Sequence, residues 1–252
     1  MGAPAATEDA MDEMSYYWIA GAVFVLSMIV QQKLKSTYRT WSAVRNGAGV
    51  TGAQTAQLIL DANQMPSVKV GPTQGKLTDH YNPRTKEIRP SEAVYAMPSV
   101  AAMAIAAHES GHAIQDAVDY TPLELRSRLA PLAATGARFG LPAAILGSVL
   151  GMPVMVQVGV LAYAGALLLQ FLTLPVEFNA SKRALQQLDE LGLLGEQEQE
   201  GARAMLRSAA LTYVASVASA AGYIIYLAFL GGRWFVRKPP VGAPPFKPPP
   251  AV

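Results

Sequence analysis

Charged residues vanish from three long stretches of this chain. Met14 to Gln32, Phe139 to Val176 and Ser208 to Gly232 run without Asp, Glu, Lys or Arg over 19, 38 and 25 positions. A helix that crosses a bilayer needs about 20 apolar residues. The first and third stretches each suit one crossing. The second is too long for one ordinary crossing and suits two short ones, turning near Gly151-Met152-Pro153, because glycine and proline favour helix ends. The pattern predicts four transmembrane helices: one within residues 1–32, a transmembrane hairpin at about 139–174, and a last span over 208–232. The first is expected to be an uncleaved anchor. Its flank carries Glu8, Asp9, Asp12 and Glu13 with no basic residue, and no A-x-A site follows, whereas a signal peptide wants both.

Between the spans the pattern changes. "GVTGAQTAQLILDANQM" alternates as an amphipathic helix, with Thr51 and Gln54 spaced as a capping box. Val68 to Val70 reads as a short strand, and "GKLTDHYNPRTKEIRPS" as a hairpin turning at "NPRT". Pro98-Ser99 opens a helix whose first part, Val100 to Ala107, is apolar on every face and so expects burial. "YTPLEL" ends it near Tyr120, and Pro175 is expected to open a further helix, "VEFNASKRALQQLDEL". Residues 33–207 thus form one region around the transmembrane hairpin. Residues 233–252 form a proline-rich tail, expected to be extended and mobile. The fold class is α+β, mainly helical and membrane-integral, with one small hairpin.

Composition narrows the chemistry. Charged residues are 15% of the chain against about 25% in soluble proteins. A net charge of +2 gives no nucleic-acid footprint. With no cysteine, any metal site must use His, Asp or Glu.

Two of the chain's three histidines lie in "AAHESGHAIQ". Residues four apart share one helix face, so His108 and His112 can present two imidazoles to one metal. Neutral imidazole suits zinc. Glu109, turned from both but on the same side, is placed as the general base of an H-E-x-x-H site. Gly111 is unfavourable in mid-helix, and close approach of another backbone would account for it.

Catalytic zinc usually takes three protein ligands. The candidates for the third are Asp116, Glu124, Glu177 and His80. Asp116 shares the helix face but lies about 6 Å beyond His112 along the axis. Glu124 lies past the break at Tyr120. Glu177 is preferred. Its helix face carries Ala180, Ser181 and Ala184, small enough to lie close to Gly111 and Ala113. The two spans before it also return the chain to the side of the membrane it left.

"LTDHYNPRT", "AAHESGHAIQ" and "LPVEFNASKRAL", in this order and at these separations, resemble the YugP-type membrane zinc metallopeptidases over roughly Gly52 to Ala184. The arrangement is also similar to the HtpX-like membrane proteases. The resemblance implies a zinc-dependent endopeptidase with one Zn2+ per chain, ligands His108, His112 and Glu177, and base Glu109. It implies peptide or membrane-protein substrates and a multi-pass protein of a bacterial inner membrane. One departure stands out: thermolysin-type gluzincins carry Asp four residues after the ligand Glu, and here that position is Ser181.

A second donor is needed for the oxyanion, and His80 or Tyr81 of the hairpin is the candidate. The hairpin also offers an edge strand to an extended peptide. Lys33, Lys35, Arg39 and Arg45 after the first span place the catalytic side in the cytoplasm. Arg233, Arg237 and Lys238 argue the other way, but the first span usually dominates. Two rival functions are a catalytically silent membrane scaffold with a structural zinc, which would want a fourth ligand, and a small metal transporter. The transporter would need polar residues in several spans, where Gln157, Gln170 and a few Ser and Thr are all there is.

Overall fold

A computed structural model describes the backbone of residues 5–236, and the side chains of residue 18 and of residues 21–222 except 148. The elements are α1 (Ala5–Ser42), α2 (Gly52–Ala62), β1 (Lys69–Val70), β2 (His80–Asn82), β3 (Glu87–Arg89), α3 (Glu92–Ala96), α4 (Val100–Ala117), α5 (Thr121–Val149), α6 (Pro153–Glu190) and α7 (Glu196–Val236).

Helix α4 is the axis of the fold. The Ser99 side chain caps it by accepting from the Ala102 amide at 3.2 Å, satisfying a donor that the helix itself cannot. Every residue from Val100 to Ala107 is buried, as its uniformly apolar sequence requires. The alanines keep its surface low, so α2, α6 and α7 all pack against it. Ile59 and Leu60 of α2, Ile88 of β3, Leu188 of α6 and Met205 of α7 meet Met103 in one core. The end of α1 is tied to the start of α4: Val100 N–H donates to Val44 C=O at 2.9 Å, and Asn46 N–H to Pro98 C=O at 3.0 Å.

The small elements follow local rules. Thr51 and Gln54 form the expected capping box on α2. The hairpin turns where "NPRT" stands, with Asn82 Oδ1 accepting from the Arg84 amide at 3.0 Å. Its strands β2 and β3 are antiparallel, β1 joins β3 in parallel, and the sheet order is β1-β3-β2. Strand β2 is therefore an edge.

Helices α5 and α6 form the long hairpin. Between them Gly151 takes a φ of +65°, which glycine adopts without a Cβ penalty, and Pro153 starts α6 with its fixed φ. The two helices cross so closely that a Cβ on Gly136 would stand 2.3 Å from the Ala162 carbonyl oxygen. Their outer faces expose Leu132, Phe139, Val154 and Leu161, the surface a bilayer would cover.

Two expectations need correcting. Among the described residues, three helices rather than four are long and apolar enough to cross a membrane: Thr121–Gly147, Pro153–Glu190 and Glu196–Gly222. The first expected span, Met14 to Gln32, falls on α1, where several side chains lie outside the described residues. Pro175, moreover, does not open a helix. It lies inside α6, which runs unbroken through 38 residues. Proline removes one backbone bond there, but neighbouring helices and local adjustment make this tolerable in a membrane-length helix. From Pro153 to Val176 the uncharged part of α6 spans about 36 Å, enough to cross the hydrocarbon. Glu177, its first charged residue, thus follows on the same rigid rod. The proline-rich tail lies outside the described residues from position 237 onward.

Candidate metal centre

One turn of α4 brings His108 and His112 together, their rings 4.8 Å apart and edge to face. From α6, Glu177 reaches between them. Its Oε2 lies 3.2 Å from His108 Nε2 and 3.5 Å from His112 Nε2. One donor atom from each of these three residues lies within 4.8 Å of the other two. Glu177 is only 2% exposed, so its carboxylate is far from bulk water and needs cationic partners. Arg126 of α5 supplies one, with Nη1 3.3 Å from Oε1.

The approach of α6 to α4 depends on Gly111. A Cβ at that position would stand 2.5 Å from the Ala180 carbonyl oxygen, too close to coexist. Gly111→Ala is therefore expected to push α6 away from α4. It should cost about 1–3 kcal/mol of stability, as overpacking does, and lower metal affinity with it. Thermal unfolding and metal titration in detergent would check both; an unaltered protein would show that α4 and α6 have room to spare.

Each histidine is oriented by its second nitrogen. His112 Nδ1 donates to Gln115 Oε1 at 2.9 Å, and Gln115 is itself fixed, its Nε2 donating to Val176 C=O at 2.8 Å and to Asn179 Oδ1 at 3.0 Å. His108 Nδ1 lies 3.2 Å from Ser181 Oγ. With Nδ1 carrying the proton in both rings, both Nε2 lone pairs face the centre, which is the tautomer a metal needs. Ser181 thus stands where thermolysin-type sites hold an aspartate, and it takes over the orienting contact without the charge.

Glu109, 7% exposed, lines the same cavity of about 360 Å³, together with His80, Tyr81, Arg126 and Tyr213. Burial pushes its carboxyl up from the ordinary range, against the pull of His108 and His112. His80 is exposed, and its Nδ1 is 2.8 Å from Thr78 C=O. The Tyr81 hydroxyl donates to Asp116 Oδ2 at 2.5 Å, and burial together with that carboxylate pushes the phenol well above its usual value. Asp116 also receives Lys86 Nζ. Glu124 pairs with Arg128 on the surface. Of the four candidates for a third ligand, the structure brings only Glu177 to the histidines.

Three residues at the site carry no motif. Gln115 sits one turn after His112, where an i, i+3 contact was predictable. Arg126 reads in the sequence as a membrane-flanking charge. Tyr213 lies inside an uncharged stretch with nothing to mark it.

Two histidines one turn apart on a buried helix, a buried glutamate between them and a second glutamate on a membrane-length helix make a donor set that could hold a metal ion. The chain belongs to the family described as "Putative neutral zinc metallopeptidase", whose sequence model matches residues 16–231. It is 37% identical over 222 residues to a protein of Bacillus subtilis (strain 168) named "Putative membrane protease YugP", an alignment that takes in 87% of this chain and 99% of that protein. No solved structure matches it.

Proposed function

We propose that this chain is a membrane-embedded zinc endopeptidase in which His108, His112 and Glu177 hold one zinc ion and Glu109 is the general base. The observation that carries the reading is the convergence of those three donor atoms beside a buried glutamate that opens on the same cavity. The donor set fits zinc: two neutral imidazoles with Nε2 free and one carboxylate, as in three-ligand catalytic sites. When bound, zinc supplies a Lewis acid that polarises the substrate carbonyl and makes water a nucleophile near neutral pH. Glu109 would act as the general base, accepting a proton from the attacking water and returning it to the leaving amine. Its buried surroundings keep competing solvent away.

The donor for the oxyanion comes from the cavity wall. Tyr81 is the weaker candidate, since its hydroxyl proton is committed to Asp116. His80 lines the same cavity, with its Nδ1 2.8 Å from Thr78 C=O. The β2 edge beside the cavity suits an extended peptide paired by main-chain hydrogen bonds. Membrane proteins are suitable substrates, because Arg126, Glu177 and Tyr213 all stand on membrane-length helices. The silent-scaffold reading is less favoured. A closed structural zinc wants a fourth ligand, and among the described residues neither Asp116 nor His80 joins the group formed by His108, His112 and Glu177.

The direct test is zinc content after dialysis, measured beside casein digestion in detergent. About one zinc per chain is expected, with digestion abolished by a chelator and restored by zinc. Digestion that ignores the chelator would sink the metallopeptidase reading.

The same proposal places the three membrane-length helices in a bacterial inner membrane with the site facing the cytoplasm. The basic run from Lys33 to Arg45 supports this, with Lys182, Arg183, Arg203 and Arg207 expected on that same side. Reporter fusions after Gly75 and after Glu196 should both report cytoplasm; opposite answers would break the topology.

A further inference from the structure

Glu177 has two carboxylate oxygens, and the structure gives them different partners. Oε2 faces His108 Nε2 and His112 Nε2 at 3.2 and 3.5 Å. Oε1 faces Arg126 Nη1 at 3.3 Å, and the Tyr213 side chain also lies against the carboxylate. A buried carboxylate with a free second oxygen could swing to offer both to a metal, since zinc has no geometric preference of its own to forbid it. That would fill the coordination position on which hydrolysis depends. A guanidinium prevents the swing. It is planar, permanently charged and able to fix an oxygen by direction as well as by charge. Arg126 sits on α5, Glu177 on α6, and the two helices cross in close backbone contact at Gly136, so the pair is held by the packing of the hairpin.

Building on the zinc reading above, we propose that Arg126 is a positioning residue: it holds Oε1 of Glu177, leaves only Oε2 to the metal, and thereby keeps one coordination position open. The charge of Arg126 works in the opposite sense to its orienting effect. It repels a bound dication, so its removal need not weaken metal binding, and the loss falls on geometry instead.

Cobalt(II) is the probe, because its visible absorption is strong in a four-coordinate site and weak when a further oxygen binds. The full-length protein in detergent, loaded with cobalt, is compared with Arg126→Gln and Arg126→Lys. Arg126→Gln is expected to bind about one cobalt per chain with a weakened visible band. In the zinc form kcat should fall by roughly ten- to a hundredfold, with KM within about twofold of wild type. Arg126→Lys, a point charge without the planar fork, should restore part of both. A wild-type band and kcat in Arg126→Gln overturn the proposal. So does loss of metal from both variants, since Arg126 would then hold the site together rather than aim one oxygen. Should Arg126→Gln fail to fold, Arg126→Lys decides, and wild-type values there would overturn the geometric role. Wild-type protein that takes up no cobalt or zinc would defeat the zinc reading itself, a result distinct from all of these.

Discussion

Glu109→Gln is expected to bind about one zinc per chain and to lose peptidase activity by roughly a hundredfold or more. The side chain keeps its size and its polar end, and it is not among the three residues whose donor atoms converge. Metal binding should therefore survive. What disappears is the ability to accept a proton at a position 7% exposed, where no solvent base can substitute. The amide also removes a negative charge beside two histidines, so zinc affinity should change by far less than activity. Metal analysis after dialysis and cleavage of a peptide in detergent separate the two effects. Full activity in Glu109→Gln would show that the zinc-hydrolase mechanism is wrong, whatever the metal content.

Glu177→Gln should give the reverse order of losses. It removes the carboxylate proposed as the third ligand, leaves both histidines oriented by Gln115 and Ser181, and strands the guanidinium of Arg126 without its carboxylate. An uncompensated charge of that kind is costly where it cannot reach water. Arg126 is about one third exposed and can turn outward, so the fold should persist while zinc is lost. Outer metal concentration then governs activity, which should recover partly in excess zinc. Glu109→Gln should show no such recovery. If Glu177→Gln keeps its zinc at low free metal and cleaves normally, the third ligand lies elsewhere.

Much of this protein is written locally. The four-residue spacing of His108 and His112 forces one helix face, because the helical period is 3.6. The Thr51 box, the Ser99 cap and the Asn82 turn are side chain to backbone contacts within a few residues. Long uncharged runs fix membrane-length helices, since buried charge in lipid is too costly. Even Glu177, 69 positions from His108, was reachable by counting spans, because a chain that crosses twice returns to its side.

What the tertiary structure decided lies where local rules meet packing. Proline at position 175 signals a helix start, yet α6 runs through it, because a bond lost inside a packed hairpin is cheaper than a break there. The result is a carboxylate, Glu177, rigidly joined to a membrane-length helix rather than carried on a separate one. Ser181 looks in the sequence like a missing aspartate. Only the close approach of α6 to Gly111 shows that a hydroxyl reaches His108 Nδ1. Arg126 reads as a charge at a membrane boundary, and its pairing with Glu177 exists only because α5 folds back along α6. The composition at positions 126, 181 and 213 is compatible with many partners. The choice among them comes from which helices cross and how closely, a property of summed contacts over the whole core that no single stretch of sequence carries.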